Sequence, residues 1–290
     1  MTWAAFALVL GSAFLHALWN TLAKRARDSV GFLWCSQTII TMVCLPLAVG
    51  SLAVGAWPLA GVLVALASGL AQAAYLILLG SAYDRADLSL VYPLVRAVAA
   101  CVVAGLAVPL LGETISGRGL SGVALVTLGV FLIQTAWRFR NWAGSQMAPS
   151  SLALAGLLAA LTAFIAAYQL IDKVGVGLLN PLAYLCWTSF ADQLGFTVWV
   201  LAARRRALVR AEWGRSRGLI FAGGLISLVS YLLLLWALTL AQVSYLAPMR
   251  NFSMVFAVVL GATVLRERLA WSRLPGVLIL LGGVVLLRWA

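Results

Sequence analysis

Long apolar runs separated by short polar connections occupy the whole sequence. Each run can cross the roughly 30 Å hydrocarbon core of a bilayer as a helix, which takes about 20 residues. Because the runs are continuously apolar, they predict helices rather than the alternating strands of a barrel. We therefore predict an all-α integral membrane protein with ten transmembrane helices, at approximately 3–23, 31–53, 58–81, 88–111, 118–137, 151–171, 180–203, 217–239, 243–265 and 273–289.

A weak internal repeat relates the two halves of the chain. Arg96 is followed seventeen positions later by Glu113, and Arg250 is followed at the same interval by Glu267. Further residues recur at the same offset of 154 positions: Gly122 with Gly276, and Gly129 with Gly283. The repeat indicates that one structural unit has been used twice.

The number of helices in each half determines how the halves are related. Five is odd, so two copies of a five-helix unit must enter the membrane in opposite directions. We predict two inverted five-helix repeats, at 1–140 and 151–290, joined by a linker at 141–150. This is a common architecture of secondary transporters.

Composition and charge support a membrane location. The 290 residues are 64% hydrophobic and only 10% charged, which is too little polar surface for a soluble domain. The net charge of +12 comes mainly from short connections, as topology signals do, and no nucleic-acid-binding motif accompanies it. Lys and Arg concentrate in connections that follow odd-numbered helices, which predicts that both termini lie outside the cytoplasm.

Catalysis and metal binding have little support in the sequence. Cys35, Cys44, Cys101 and Cys186 fall inside apolar runs at spacings that match no metal site, so we expect no metal and no cofactor. His16 is the single histidine, and no nucleophile motif or phosphate-binding loop is present. We therefore expect that the protein is not an enzyme, and that any transport is not driven by ATP.

Charges within the predicted helices mark candidate functional positions. Arg96 and Arg250 either converge on an anionic substrate or bond to carbonyls and tie helices together. Asp192 has no basic neighbour in sequence, and could pair with an arginine from another helix or accept a coupling proton. Glu113 and Glu267 end their helices, the first beside Thr114 and the second between Arg266 and Arg268, as is typical of interfacial helix ends with salt bridges.

Polar and aromatic residues within other helices complete the candidate site. His16, Trp19 and Asn20 give the first helix a polar face, and His16 could also relay protons because its ordinary pKa is near 6.5. Gln72 and Tyr75 share a face of the third helix. These groups could line a pocket or bond helix to helix. The remaining candidates for the substrate site are Tyr92, Tyr168, Tyr231 and Asn251.

Two stretches carry a resemblance to a known family. They are Leu15-His16-Ala17-Leu18-Trp19-Asn20, and Asp87 to Arg96 followed by Leu111-Gly112-Glu113. With ten helices in two halves, the chain resembles the drug/metabolite transporter (DMT) superfamily, and its EamA-like family most closely. The resemblance implies a helical bundle with a central cavity that moves amino acids, other metabolites or drugs by alternating access. It also implies cytoplasmic termini, in conflict with the charge distribution. The first and fourth helices further resemble a subgroup associated with phosphonate utilisation.

These observations together predict a secondary transporter or exporter of a small organic metabolite, with an anion such as an amino acid, carboxylate or phosphonate as substrate. We expect the cavity to be lined by the first, third, fourth, sixth, eighth and ninth helices, in a monomer within a bacterial-type inner membrane. Two alternatives remain open: efflux of drugs or amphiphiles, with structural arginines, and a membrane scaffold that transports nothing.

Overall fold

A computed structural model describes residues 1–52, 57–83, 88–141, 152–264 and 271–290, and every regular element in those ranges is helical. A short 3₁₀ turn, Trp271–Arg273, precedes the last helix. The helices are α1 (Trp3–Ala23), α2 (Ser29–Leu52), α3 (Leu59–Tyr83), α4 (Leu88–Leu111), α5 (Gly117–Asn141), α6 (Leu152–Leu178), α7 (Pro181–Ala202), α8 (Arg206–Leu240), α9 (Val243–Arg250), α10 (Ser253–Thr263) and α11 (Leu274–Arg288).

The lengths and hydropathy of the helices fit a multi-pass membrane protein. Eight helical segments of the described residues are long and apolar enough to span a bilayer, and α9 with α10 together form one of them. The side chains of α4 are described from Val95 onwards, and Val95–Leu111 is an apolar helix within it. The 22 residues of α7 are long enough to span, but Asp192 and Gln193 lower its hydropathy. The predicted all-α integral membrane fold is confirmed.

The packing of the helices follows the sequence repeat. In the first half, α3 packs against α6 and α7; its counterpart in the second half, α8, packs against α1 and α2. Counterparts also pack against each other, as α2 does against α7 and α5 against α11. This exchange of neighbours is the pattern that a two-fold relation between inverted repeats predicts.

Paired glycines allow α5 and α11 to approach closely. A Cβ placed on Gly129 would lie 2.8 Å from the carbonyl oxygen of Gly276, and one on Gly283 would lie 2.9 Å from that of Gly122. Helices in a membrane associate through such small residues because their backbones can then touch. The glycines that repeat in the sequence therefore face one another across the two halves.

Two features depart from the predicted helix boundaries. Residues 204–217 were expected to form a connection, yet α8 begins at Arg206 and is bent at Ser216, whose φ of −122° is not helical. The ninth predicted span is divided into α9 and α10 by Asn251 and Phe252. The break follows Pro248, which cannot donate a backbone hydrogen bond. Arg250 is therefore the last residue of a short helix inside the membrane.

Candidate functional site

A cavity of about 110 Å³ lies between the two halves. Its walls come from α1, α3 and α4 of the first half and from α6, α8 and α9 of the second, as predicted, and also from α2 and α7. Gln37 and Ser36 are contributed by α2, and Thr188 and Ser189 by α7. Hydrophobicity alone could not indicate this wall, because it does not report which way a helix is rotated.

The predicted site residues divide into three groups. Those that line the cavity are His16, Trp19, Gln72, Tyr75, Arg96, Tyr168, Asp192, Tyr231 and Arg250. Asn20 and Asn251 are not among the lining residues, and Asn251 is buried at the break after α9. The side chain of Tyr92 lies outside the described part of the chain.

Arg96 contacts the single histidine of the chain. Its Nη1 lies 2.5 Å from Nε2 of His16, which brings α4 and α1 together at the cavity. Because a guanidinium only donates hydrogen bonds, Nε2 must accept and the ring must be the neutral tautomer with its proton on Nδ1. In this arrangement His16 holds the arginine head group in place.

Arg250 reaches the same cavity from the repeat-related helix. Its side chain is 7% exposed, and it ends α9 where the ninth span is interrupted. Transporters with inverted repeats commonly bind substrate beside such discontinuous helices near the membrane midplane. Arg96 and Arg250 thus line the same cavity, although they lie 154 residues apart in the sequence.

Glu113 fixes the start of the short helix that carries Arg250. Its Oε1 accepts a hydrogen bond from the backbone N–H of Val243 at 2.8 Å, and its Oε2 accepts one from Ser244 at 3.0 Å. A carboxylate at a helix N-terminus binds free N–H groups and favours the helix dipole. The interfacial salt bridge expected for this residue is replaced by a buried cap that joins the two halves.

Aromatic rings form part of the cavity wall. The rings of Tyr75 and Tyr168 lie 6.1 Å apart between centroids, and those of His16 and Trp19 lie 5.6 Å apart. Each pair is tilted rather than stacked face to face, as aromatic pairs prefer. These rings offer apolar surface to a bound molecule beside the charged groups.

Asp172, which lies directly behind the cavity, is not among the predicted site residues. Its carboxylate is fully buried and accepts hydrogen bonds from Ser68 at 2.5 Å, Tyr184 at 3.0 Å and Tyr231 at 2.8 Å. Nε2 of Gln72 donates to the Tyr231 hydroxyl at 2.7 Å. This network joins α3, α6, α7 and α8.

Asp172 escaped notice because the sixth span was predicted to end at residue 171, whereas α6 continues to Leu178. By that boundary Lys173, the next residue, falls in a connection rather than in a helix. In the structure, Nζ of Lys173 instead donates to the carbonyl oxygens of Leu238 at 2.7 Å and Ala241 at 2.9 Å. The spacing of Tyr168 and Asp172, four residues apart on one face, was the available signal.

Asp192 has a different environment from Asp172. It lines the cavity and is 3% exposed, and its Oδ1 has no hydrogen-bond partner among the described residues. The predicted pairing with an arginine is therefore not seen at that oxygen. Buried carboxylates normally have partners, because removing a charge from water costs several kcal/mol.

Comparisons with known proteins agree with the fold. A solved crystal structure of a protein superimposes with a TM-score of 0.73 at 14% identity, covering 99% of this chain and 96% of that one. Twenty-six chains of solved structures match in all. No curated protein matches the sequence. The second half, residues 152–289, matches the model of the EamA-like transporter family. The second half is therefore similar to the EamA-like transporter family of the DMT superfamily, in agreement with the resemblance of the sequence motifs.

Proposed function

We propose that the protein is a secondary transporter that moves a small organic anion through the cavity by alternating access. The observation that carries the proposal is the convergence of Arg96 and Arg250, one from each half, on a single buried cavity. Guanidinium forks bind carboxylates and phosphate-like groups, phosphonates among them, through paired hydrogen bonds. The match of residues 152–289 to a transporter family supports the general activity, and the arginines support the charge of the substrate.

The size of the cavity supports a small metabolite over a drug or amphiphile. Sites for drug-sized ligands usually have volumes of about 300 to 1,000 Å³. The cavity here is about 110 Å³, and it is lined by charged and hydroxyl groups as well as aromatic rings. A large amphipathic compound would have to displace these walls, whereas a short carboxylate or phosphonate would not.

The relation between the two halves supports alternating access. The proposed units, 1–140 and 151–290, exchange neighbours by the two-fold pattern described above, and each contributes one arginine. In such transporters the halves rock around a fixed central site. A scaffold that transports nothing would not need a charged cavity between its halves. Because a single chain supplies the cavity residues of both halves, we propose that the protein works as a monomer. We place it in a bacterial-type inner membrane.

Counterflow in liposomes tests the proposal. Purified protein would be reconstituted with unlabelled acetate, propionate, ethylphosphonate or an amino acid inside, and uptake of the labelled compound would be measured. We expect at least one of these anions to be exchanged, and Arg96→Ala and Arg250→Ala to lower its affinity about tenfold or more. Arg118→Ala is the matched control, because Arg118 is exposed at the start of α5.

The same variants separate a substrate site from a structural role. Binding of an anion stabilises the folded protein, by an amount that rises with the logarithm of the ratio of anion concentration to Kd. If an anion raises the melting temperature of the wild type and of Arg118→Ala but not of either cavity variant, the arginines bind substrate. If the cavity variants are simply less stable, and respond to anions or amphiphiles as the wild type does, the proposal is wrong.

A further inference from the structure

The cavity contains acceptor groups as well as arginines. Asp192 lines it with a carboxylate oxygen that no described residue bonds, although the side chain is 97% buried. A simple anion bound by Arg96 and Arg250 would donate no hydrogen bond to this carboxylate and would be repelled by it. The arginine site alone therefore does not account for the chemistry of the cavity.

Two hydroxyl groups share this property with Asp192. Ser36 of α2 and Thr188 of α7 line the cavity, are 2% and 1% exposed, and have side-chain oxygens without a hydrogen-bond partner among the described residues. Thr188 lies four residues before Asp192, so the two side chains lie on the same face of α7. Because α2 packs against α7, the acceptors come from neighbouring helices.

The groups of the cavity that can only donate hydrogen bonds come from a second set of packed helices. Arg96 belongs to α4, Arg250 to α9, and Trp19 to α1. The indole Nε1 of Trp19 is buried without a partner among the described residues, and an indole N–H can only donate. The cavity thus combines donor-only groups from α1, α4 and α9 with a carboxylate from α7 and hydroxyl groups from α2 and α7.

We propose that Asp192, with Thr188 and Ser36, forms a subsite for a primary ammonium group, so that the cargo is a small zwitterion such as an amino carboxylate or aminophosphonate. This inference rests on the proposed function, since the arginines would hold the anionic end of the same molecule. An ammonium group has three N–H donors, and the subsite offers a carboxylate and two hydroxyl oxygens to receive them. The carboxylate also neutralises its charge away from water.

Matched pairs of ligands test this inference. Binding would be measured with glycine against acetate, β-alanine against propionate, 4-aminobutyrate against butyrate, and 2-aminoethylphosphonate against ethylphosphonate. Members of a pair differ in the ammonium group and share the anionic end. For at least one pair, we expect the wild type to bind the zwitterion about 10- to 100-fold more tightly, as expected for a charge-assisted hydrogen bond.

Asp192→Asn removes the charge with little change in shape. We expect it to bring the two affinities of that pair within about threefold of each other, while the affinity for the simple anion stays the same or improves. The matched control is Asp28→Asn, which makes the same chemical change outside the cavity. Asp28 accepts a hydrogen bond from Gly31 near the start of α2, and asparagine serves equally well there. This control should keep the wild-type preference.

Stability without ligand gives a second measurement. A carboxylate held for substrate destabilises the empty protein, so Asp192→Asn should leave the melting temperature unchanged or raise it. A structural carboxylate would make the variant melt lower. A lower melting temperature together with an unchanged preference for zwitterions would overturn the inference.

Other outcomes separate this inference from the proposed function. If simple anions and zwitterions bind the wild type equally, the ammonium subsite is refuted and the arginine site stands. If neither class binds, the proposed function fails as well. If Na⁺ or Li⁺ alone stabilises the wild type but not Asp192→Asn, and zwitterions show no preference, Asp192 binds an inorganic cation and the inference is wrong.

Discussion

The hydroxyl of Tyr231 donates to Oδ2 of Asp172 at 2.8 Å, and so ties a cavity wall to a fully buried charge. Tyr231 lines the cavity, whereas Asp172 does not. The same hydroxyl accepts from Gln72, which also lines the cavity. Any change in the position of Tyr231 therefore alters the hydrogen bonding of a carboxylate that packs four helices together.

Tyr231→Phe should destabilise the protein and weaken substrate binding together. Removing the hydroxyl withdraws one donor from a buried carboxylate, which costs about 1 to 3 kcal/mol of unfolding free energy. Tyr184→Phe is the comparison, because its hydroxyl bonds the other carboxylate oxygen at 3.0 Å but does not line the cavity. We expect a similar loss of stability from Tyr184→Phe with unchanged substrate affinity. Unchanged stability in both variants would contradict the role assigned to Asp172.

Gly129→Ala should weaken the contact between α5 and α11. The added Cβ would lie 2.6 Å from the Cβ of Leu280 and 2.8 Å from the carbonyl oxygen of Gly276, so the helices must separate. Overpacking of this kind costs about 1 to 3 kcal/mol, measurable as a lower melting temperature. Gly105→Ala in α4 is the control, since no atom lies within 4 Å of the position that its Cβ would occupy and alanine favours the helix. Equal stabilities of the two variants would contradict this packing.

Glu113→Ala should reduce both stability and anion affinity. It leaves the backbone N–H groups of Val243 and Ser244 without their buried acceptor, at a cost of about 1 to 3 kcal/mol. The start of α9 is then free to fray, and Arg250 at its other end loses its fixed position. Glu113→Gln keeps one acceptor oxygen and should fall between the wild type and the alanine variant. If Glu113→Ala binds anions as tightly as the wild type, the cap does not position Arg250.

His16→Gln should preserve anion binding, and His16→Leu should not. A glutamine oxygen can accept from Arg96 as Nε2 does, whereas leucine leaves the guanidinium without that acceptor. We expect affinity within about threefold of the wild type for glutamine and a loss of about tenfold for leucine. The glutamine variant also tests the proton relay considered from the sequence. If it abolishes the response of transport to a pH gradient but keeps binding, His16 carries the coupling proton.

The sequence predicted the membrane fold and much of the cavity for identifiable reasons. Apolar runs define spans directly, and Arg96, Arg250 and Asp192 are conspicuous because charge inside a span is costly. The groups it missed depend on information that hydropathy lacks. Asp172 lies one residue beyond the predicted end of the sixth span, so it did not count as a charge within the membrane.

The remaining differences have similar physical causes. The arginines after residue 203 suggested a loop, although helices at a membrane surface carry such residues as readily. The ninth span was predicted as one continuous helix, because tertiary contacts determine whether a proline such as Pro248 kinks or divides a helix. The walls contributed by α2 and α7 depend on helix rotation, which is set by packing against neighbours rather than by the mean hydropathy of either run.

The glycine contacts between α5 and α11 also constrain how the molecule can move. Neither helix contributes a residue to the cavity within the described part of the chain. With backbones in direct contact at Gly122 and Gly283, and again at Gly129 and Gly276, this pair has little room to slide. We expect the contact between α5 and α11 to stay closed and to act as a pivot, while the other helices move about it to open the cavity. A covalent link between α5 and α11 would then leave transport intact, whereas a covalent link across the cavity would stop it.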